Sequence, residues 1–544
     1  MPQTEAENNT NDIPIPQKHA LAFEPSVLLI NILVAALGAV IGLELITRLG
    51  ITANTSIIGA LAAILLARIP LKFLRNLKRL DRQNLIQTAI SGSTFSAANA
   101  LLLPIGIPYL MGRTDLVFPL LIGVSLAVIT DASILYFSFD TKSFPARNPW
   151  PPGIATAEAL LAAAQKGKKS LILLAGIVGG VIGKGIKIPT DVFGVSWIGN
   201  AFALTAFGVG LTVRGFTQKA NINLDARYLP HGIMIGAGLV ALIQIIMIIF
   251  SRKKPDPQNE KNENYQITRT PRQMRQAMGI GYFAYAAIAL LIALLGALIS
   301  QMSPGMLLGW ITFAALAALV SELIVGLAAM HSGWFPAFAT ALIFLVLGLL
   351  FGFPPNALAL LVGFTASTGP AFADMAYDLK AGWILRGKGQ NPPYELQGRK
   401  QQYLTELISF LVAILIVALV HRFYFEQDLF PPVDRVYVAT IQAGVNASVA
   451  RHLLIWALPG ALIQLAGGPS RQLGVLFATG LLITQGALSA GITVLVGLLI
   501  RCIVVRKYKE NGQKTLYILG AGFIAGSALY SFFASTLNLR PGEK

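Results

Sequence analysis

The sequence predicts an all-α polytopic membrane protein of about 16 membrane helices, including short or broken ones. Of its 544 residues, 55% are hydrophobic and only 12% are charged, whereas soluble domains carry about 25% charged residues. Apolar runs of roughly 20 residues, the length that crosses about 30 Å of hydrocarbon, recur from "SVLLINILVAALGAVIGLELI" to "LYILGAGFIAGSALYSFFAST". The chain is therefore expected to cross the membrane many times.

Hydropathy divides the chain into two membrane halves. The N-terminal half, 26–250, contains predicted helices at 27–48, 54–71, 84–111, 115–139, 154–166, 170–187, 195–213 and 229–250. The C-terminal half, 276–536, contains predicted helices at 276–300, 304–329, 333–352, 357–381, 402–425, 436–450, 452–467, 473–504 and 515–536. Two of these helices, 154–166 and 436–450, are too short to span, and a break within 473–504 stays open.

Polar segments flank and separate the halves. Residues 1–25 lack the basic and apolar regions of a signal peptide and are predicted to form a cytoplasmic tail. Residues 251–275 hold the longest charged insertion and are predicted to be a cytoplasmic basic linker, and residues 537–544 a second tail. These features predict a multi-pass protein of the prokaryotic inner (plasma) membrane with its N-terminus in the cytoplasm.

The net charge of +17 comes from short basic clusters between apolar runs. Such clusters are typical of cytoplasmic loops that follow the positive-inside rule, so we expect no nucleic-acid partner. One cysteine, Cys502, and five histidines allow neither a disulfide framework nor a cysteine-rich metal site. We expect no metal and no cofactor, and any uphill transport would draw on an ion gradient or a separate subunit.

The two halves contain weakly similar motifs in the same order, which predicts an internal duplication. The pairs are Glu44-Leu45-Ile46 with Glu322-Leu323-Ile324, Ser93-Thr94 with Ser367-Thr368, Asp140 with Glu426, and Ala155-Thr156-x-Glu158 with Ala439-Thr440-x-Gln442. The loop at 72–82 is basic whereas its partner "GFPPN" is uncharged, and "MGRTD" is balanced whereas its partner at 380–400 is basic. This exchange of sides predicts an inverted-topology repeat, an architecture typical of transporters.

Glu158 is the leading candidate for coupling transport to protons. It lies on the short helix that begins after Pro151, Pro152 and Gly153, and a short helix must be buried against protein or line a wet cavity. An intramembrane carboxylate is costly and often functional, so Glu158 is either a structural hydrogen-bond partner or a proton carrier. Its repeat partner Gln442 cannot titrate, so only one side of a shared site could take protons.

Other polar side chains in apolar helices are candidates for the transport path. Asp374 follows "GFTASTGPAFA", in which Pro370 should break the helix. We expect Asp131 and Asp378 to be solvated near an interface. The argument made for Glu158, that an intramembrane carboxylate is costly and often functional, applies also to Glu406. The full candidate set for substrate or proton binding is Glu158, Gln442, Gln87, Asn99, Ser93, Thr94, Thr365, Ser367, Thr368, Asp374, Glu322 and Glu44.

Five segments carry a family resemblance that covers most of the chain. They are "GLELITRLGITANTSIIGAL" (42–61), "NLIQTAISG" (84–92), "PPGIATAEAL" (151–160), "FADMAYDLKAGWIL" (372–385) and "GGPSRQLGVLFATG" (467–480). Together they resemble motifs of the oligopeptide transporter family, which includes peptide carriers and yellow-stripe-like carriers of metal chelates. The family's Thr-Ala-Cys-Ala-Glu keeps its acid here as Glu158. The Asn-Pro-Gly-x-Phe-Asn motif of the eukaryotic peptide branch has no counterpart, and "SGWFPAFAT" (332–340) is nearest in position.

The resemblance implies about 16 helices and proton-coupled import. We therefore expect a symporter that carries small peptides or peptide-like metal chelates into the cytoplasm, with membrane lipid and substrate as its partners and a homo-oligomer left open. One alternative is a carrier of another organic solute. A membrane-embedded enzyme acting on lipid-linked substrates is disfavoured because the acids are dispersed and no histidine cluster accompanies them. A subunit that does not itself transport is a further alternative.

Overall fold

The computed structural model describes residues 18–50, 59–60, 63, 78–148, 150–164, 169–250, 267–332, 337–444, 446–484 and 486–538. The regular structure in these ranges is helical and contains no strand. Nine of the described helices are long and apolar enough to cross a membrane, and five shorter ones are also apolar. The prediction of an all-α polytopic membrane protein is confirmed. The predicted helix at 54–71 falls almost wholly outside the described residues, as do 1–17 and 251–266.

The described residues of the N-terminal half form nine α-helices and a π-helical segment at Ser96–Leu102. They are α1 Pro25–Leu49, α2 Leu80–Phe95, α3 Leu103–Leu110, α4 Val117–Ser138, α5 Pro151–Ala164, α6 Lys169–Gly185, α7 Thr190–Ile198, α8 Ala201–Lys219 and α9 Leu229–Phe250. The helix predicted at 195–213 is two helices, because the chain is extended at Gly199 and the Asn200 side chain caps α8 by accepting from the Phe202 and Ala203 amides.

In the C-terminal half, the part of the chain that the structure describes forms ten α-helices. They are α10 Pro271–Leu295, α11 Pro304–Ser332, α12 Ala337–Leu350, α13 Pro355–Ser367, α14 Pro370–Leu385, α15 Pro392–Glu426, α16 Pro432–Ala443, α17 Ala447–Arg471, α18 Leu473–Leu482 and α19 Ala487–Asn538, with α19 kinked at Lys509. The break that Pro370 predicts within 357–381 is confirmed, because the chain leaves the helical conformation at Thr368 and Gly369. The break left open within 473–504 occurs between α18 and α19.

Helices of the two halves exchange partners in a reciprocal pattern. Helix α2 of the first half packs against α15 of the second half, and helix α14 of the second half packs against α4 of the first. The short helix α5 packs against α14, and the short helix α16 packs against α3. Thus α2 and α3 of the first half contact α15 and α16 of the second half, and α14 of the second half contacts α4 and α5 of the first.

Glycines allow the remaining helices of the two halves to approach closely. Helix α6 meets α19 where a Cβ on Gly176 would lie 2.6 Å from the Leu519 carbonyl oxygen, and Gly522 occupies the facing position. Helix α9 meets α17 in the same way, with Gly232 set against Trp456. Small residues at such crossings let backbones pack without a large hydrophobic driving force, which lipid cannot supply.

Two of the helices at the centre of the bundle are unusually polar. Every residue of α2 from Asp81 to Phe95 is buried, and so is every residue of α14 from Pro370 to Trp383. These helices contact each other and are covered by the more apolar α1, α4 and α15. Polar side chains that a lipid-facing helix could not carry are therefore concentrated where the halves meet.

Candidate functional site

Three carboxylates meet in the bundle interior. Asp374 and Asp378 lie one turn apart on α14, and Glu406 comes from α15. The three side chains are at most 1% exposed. Each offers an oxygen that lies within 4.8 Å of the oxygens of the other two, so the three acids form one cluster.

The start of α14 is fixed by a fourth buried acid. Gly369 has a φ of 99°, which favours glycine, and Pro370 begins the helix. Asp131 of α4 accepts hydrogen bonds from the Gly369 amide at 3.0 Å and from the Phe372 amide at 2.9 Å. Asp131 caps this helix from another element, so it holds Asp374 and Asp378 in position. Because Asp131 and Asp378 are fully buried, the expectation that they are solvated near an interface is wrong.

Helix α2 supplies neutral partners to two of the three carboxylates. Ser91 donates to Asp374 at 2.9 Å, and Gln87 Nε2 donates to Asp378 Oδ1 at 2.6 Å. Glu406 differs, because neither of its oxygens accepts a hydrogen bond from a described residue. It lies against Gly92, where a Cβ would come within 2.5 Å of its Oε1. The smallest side chain on α2 thus makes room for the least satisfied acid.

An ion-pair network adjoins the cluster. Arg386 donates to Glu395 at 2.7 Å, and Arg399 donates to the same carboxylate at 3.2 Å. Arg386 also donates to Gln402 Oε1 at 2.7 Å, and Gln402 Nε2 donates to the Asp378 carbonyl oxygen at 2.8 Å. This chain of hydrogen bonds connects a paired, charge-balanced region to the carboxylate cluster.

The electrostatics of Glu406 define what the cluster can do. Glu406 interacts with the charges of Asp374 and Asp378 and forms no ion pair with a described cation. A buried charge without a partner is costly, and neighbouring like charges add to that cost. The cluster can therefore take up a proton, or its oxygens can coordinate a hard cation. In either case its net charge changes with occupancy.

Most of the predicted hydroxyl ligands are already hydrogen-bonded to backbone. Ser93 and Thr94 donate to the Ile90 carbonyl oxygen, and Asn99 Nδ2 donates to that of Phe95. The hydroxyls of the second set donate to helix carbonyl oxygens in the same way; these are Thr365, Ser367 and Thr368. Side chains of this kind commonly bond to backbone carbonyl oxygens within helices.

Glu44 and Glu322 form separate pairs with tyrosines. Tyr285 donates to Glu322 Oε2 at 2.9 Å in the fully buried interior. Tyr424 donates to Glu44 Oε1 at 2.9 Å, and Arg48 pairs with the same carboxylate. The structure therefore distributes the predicted acids over several places rather than one.

Glu158 and Gln442 also lie apart from the cluster. The Glu158 side chain is exposed on α5, although the start of this helix packs tightly on α14, where a Cβ on Gly153 would lie 2.5 Å from the Tyr377 carbonyl oxygen. Gln442 is exposed on α16 and lines a cavity of about 320 Å³. A role of Glu158 in coupling stays a prediction.

Sequence reasoning missed two of the three acids of the cluster. Asp374 and Glu406 were both considered, but only Asp374 entered the candidate set, and Asp378 was assigned to solvent. The spacing of Asp374 and Asp378 places them on one helix face, and this signal could have joined them. The contribution of Glu406 depends on how α15 crosses α2, which no local pattern specifies.

A comparison with known families decides the class of protein. The sequence model described as "OPT oligopeptide transporter protein" matches residues 25–224 and 177–538. The chain belongs to this family. No curated protein matches it closely enough to refine that assignment. The resemblance inferred from the five sequence segments is confirmed.

Family membership and fold agree on the broad function. Members of the oligopeptide transporter family are transporters and not enzymes, so the alternative of an enzyme acting on lipid-linked substrates is set aside. The family's multi-pass architecture matches the long apolar helices described above. The carboxylate cluster is thus a feature of a membrane transporter.

Proposed function

We propose that this protein is a proton-coupled symporter that moves small peptides or peptide-like metal chelates into the cytoplasm. The observation that carries the proposal is Glu406, a fully buried carboxylate with no hydrogen-bond partner among the described residues, set beside Asp374 and Asp378. Carboxylates that share a buried site tend to share a proton. Binding and release of that proton would couple the gradient to transport.

The location of the cluster supports a coupling role. Its acids come from α14 and α15 of the C-terminal half, and their partners Ser91 and Gln87 come from α2 of the N-terminal half. In transporters built from inverted repeats, ion and substrate sites lie where the repeats meet. The reciprocal packing of the two halves supports such a repeat. Protonation of the cluster would then alter an interface whose movement opens and closes the path.

Glu158 is the competing candidate for the coupling group. It is the acid retained from the family motif, but its side chain is exposed and receives no hydrogen bond from a described residue. A carboxylate with that exposure has less reason to hold a proton than a buried one. We therefore assign coupling to the cluster and use Glu158 as the comparison.

The test measures uptake into proteoliposomes under an inward proton gradient. Pools of short peptides and of iron chelates are supplied outside, and mass spectrometry identifies what has entered the lumen. We expect accumulation that collapses with an uncoupler. Glu406→Gln should abolish gradient-driven accumulation but retain exchange of labelled for unlabelled substrate, because a neutral amide mimics the protonated acid. Glu158→Gln is the matched control and should retain accumulation.

Other outcomes would reassign the function. If Glu406→Gln accumulates substrate normally and Glu158→Gln does not, coupling belongs to the short helix α5. Accumulation driven by a sodium gradient at equal pH would replace the proton by another cation. If neither pool accumulates, the protein carries a different organic solute, and the same assay with a wider substrate panel would identify it.

A further inference from the structure

Two adjoining cavities lie away from the carboxylate cluster. One has a volume of about 280 Å³ and is lined by Arg48, Lys184, Asp191 and Asp428, among others. The second has a volume of about 320 Å³ and is lined by Asp225, Tyr228, His231 and Gln442, among others. The two share Arg435, Leu482 and Thr484 as lining residues. Their volumes are typical of sites for small ligands.

Interrupted helices form part of the walls. Helix α18 ends at Leu482 and α19 begins at Ala487, and Thr484, which follows the end of α18, lines both cavities. Helix α16 begins at Pro432, also in the wall of the first cavity, and carries Arg435 in its first turn. Broken helices are tolerated at membrane depth where they line a cavity, and their N-termini favour negative charge.

Arg435 is a cation that a ligand could engage. It donates to Asp428 at 2.8 Å, but the two side chains are 31% and 61% exposed. Such solvent-exposed pairs contribute little to stability, so a ligand carboxylate could replace Asp428 at little cost. The ring of Phe430 lies 5.7 Å from the guanidinium carbon and helps to orient it. By contrast, Lys184 pairs with the less exposed Asp191 at 2.8 Å.

The second cavity offers groups of the opposite character. Asp225 pairs with Arg214 but its side chain is 40% exposed, which leaves oxygen surface for a ligand cation. His231 is 6% exposed, and its Nδ1 has no hydrogen-bond partner among the described residues. His231 interacts electrostatically with both Asp225 and Arg435. A buried ring nitrogen without a hydrogen-bond partner can bind a polar group of a ligand.

We infer that the two cavities form the substrate site and that they bind a small zwitterion, with its carboxylate on Arg435 and its ammonium group on Asp225. This inference rests on the proposed transport function and names the residues that would select its substrate. Because Arg435 lines both cavities, a ligand held there can extend into either one. The carboxylate cluster, which lies elsewhere, would couple protons without touching the substrate.

The test is equilibrium binding to the full chain in nanodiscs at equal pH on both sides. The probes are radiolabelled alanine, dialanine and trialanine, together with trialanine amide, which lacks the carboxylate, and N-acetyl-trialanine, which lacks the ammonium group. We expect at least one of the three zwitterions to bind. Each blocked form should bind at least about 10-fold more weakly than trialanine, a loss typical of an unpaired charge.

Variants locate the recognition site. Arg435→Gln should weaken zwitterion binding at least about 10-fold and should cause no further loss for trialanine amide, because that probe cannot use the guanidinium. Arg471→Gln is the matched control, since Arg471 also lies over an aromatic ring, that of Phe202 at 4.7 Å, but does not line either cavity. It should bind like wild type.

Three results would overturn the inference. The first is that the wild-type protein binds none of the zwitterions. The second is that it binds trialanine and trialanine amide equally, and the third is that the Arg435→Gln protein binds like wild type. The second result needs no variant, so a misfolded variant cannot obscure it. Binding is measured without a gradient. Zwitterion binding through Arg435 by a protein that fails the proton-coupling test would therefore contradict the proposed function and leave this inference standing.

Discussion

Two helix crossings in the molecule each place one side chain against a glycine. Where α15 crosses α2, Glu406 lies against Gly92. Where α4 crosses α13, Leu120 lies against Gly363, and a Cβ on that glycine would come within 2.6 Å of Leu120 Cδ2. The sequence pairing of Asp140 with Glu426 makes the two side chains counterparts, because Leu120 and Glu406 precede those acids by the same 20 residues.

The comparison separates packing from function. Both crossings need a glycine, because a helix side chain fills the space in which a Cβ would lie. At the α4–α13 crossing the side chain that fills this space is a leucine. Packing alone therefore does not require an acid at the α15–α2 crossing. Leaving a carboxylate unpaired in a membrane interior costs free energy. Such a cost at one of two similar positions is typical of a functional site.

The largest effect should come from adding a methyl group at Gly92, and the same change at Gly363 serves as its comparison. Gly92→Ala would place a methyl group against Glu406 and displace its carboxylate, and displacements of about 1 Å can reduce rates about 100-fold. Gly363→Ala would press on the end of a leucine side chain, which can adjust, so transport should stay close to the wild-type rate. Uptake into proteoliposomes checks both. Equal losses in the two variants would show that the glycines serve packing alone.

Exchanging the two side chains should change stability in opposite directions. Glu406→Leu should abolish gradient-driven uptake while leaving the protein as stable as wild type or more so, by about 1–4 kcal/mol, as when buried charges are replaced by apolar residues. Leu120→Glu should be destabilised by several kcal/mol, since it buries a new acid without partners. Thermal unfolding in one detergent measures both. A destabilised Glu406→Leu protein would mean that the carboxylate stabilises the fold.

Asp131 tests whether a buried acid on α4 is structural. It accepts amide hydrogen bonds at the start of α14, unlike the unsatisfied Glu406. Asp131→Ala should therefore cost about 2 kcal/mol, as expected for buried amides left without acceptors. Asp131→Asn keeps an acceptor oxygen and should recover most of that loss. Thermal unfolding reports the difference. Loss of proton coupling in a stable Asp131→Asn protein would instead place Asp131 in the proton path.

The smallest effect concerns the segment that closes one end of the α15–α2 crossing. The Ala20 amide donates to Asp81 of α2, and the Ala22 amide donates to Gln401 of α15. Burial, reinforced by the nearby charge of Arg386, lowers the pKa of His19 in this segment to about 4, from a usual value near 6.5. The folded segment thus favours neutral His19, so its attachment is fully stable at pH 7 and weakens as the pH falls from about 6.5 towards 4.

Proteolysis of this segment at several pH values measures that effect. Cleavage near residues 18–24 should increase between pH 7 and pH 5 in wild type. His19→Gln cannot take up a proton and should show a smaller increase. The same pH dependence in both proteins would mean that another group controls the attachment.

Much of the fold could be predicted from the sequence because hydropathy reports membrane burial directly. Most helices described lie within a few residues of their predicted positions. The exceptions have local causes. Asn200 caps a new helix inside the predicted 195–213, and the Thr365-to-Pro370 region breaks the predicted 357–381 although Pro370 signalled that break. A hydropathy average extends across such breaks, since one or two residues change it little.

The candidate site was less accessible to sequence reasoning. Glu158 attracted attention because it follows a family motif on a short helix, yet its side chain is exposed. Asp378 was assigned to solvent because it approaches a predicted helix end, yet it is fully buried and bonded to Gln87. The position of a residue near a helix end does not reveal whether its side chain is exposed to solvent when other helices surround that helix.

The sequence by itself determined the class of protein and the residue types available for its chemistry, because composition and hydropathy can be read from each segment alone. Tertiary structure alone decided which acids meet. Asp374 and Glu406 are separated along the chain by the rest of α14, a loop and the first part of α15, and Ser91 comes from the other half. Their proximity depends on the crossing of α2, α14 and α15, which is set by the packing of glycines and capped helix ends rather than by any local pattern.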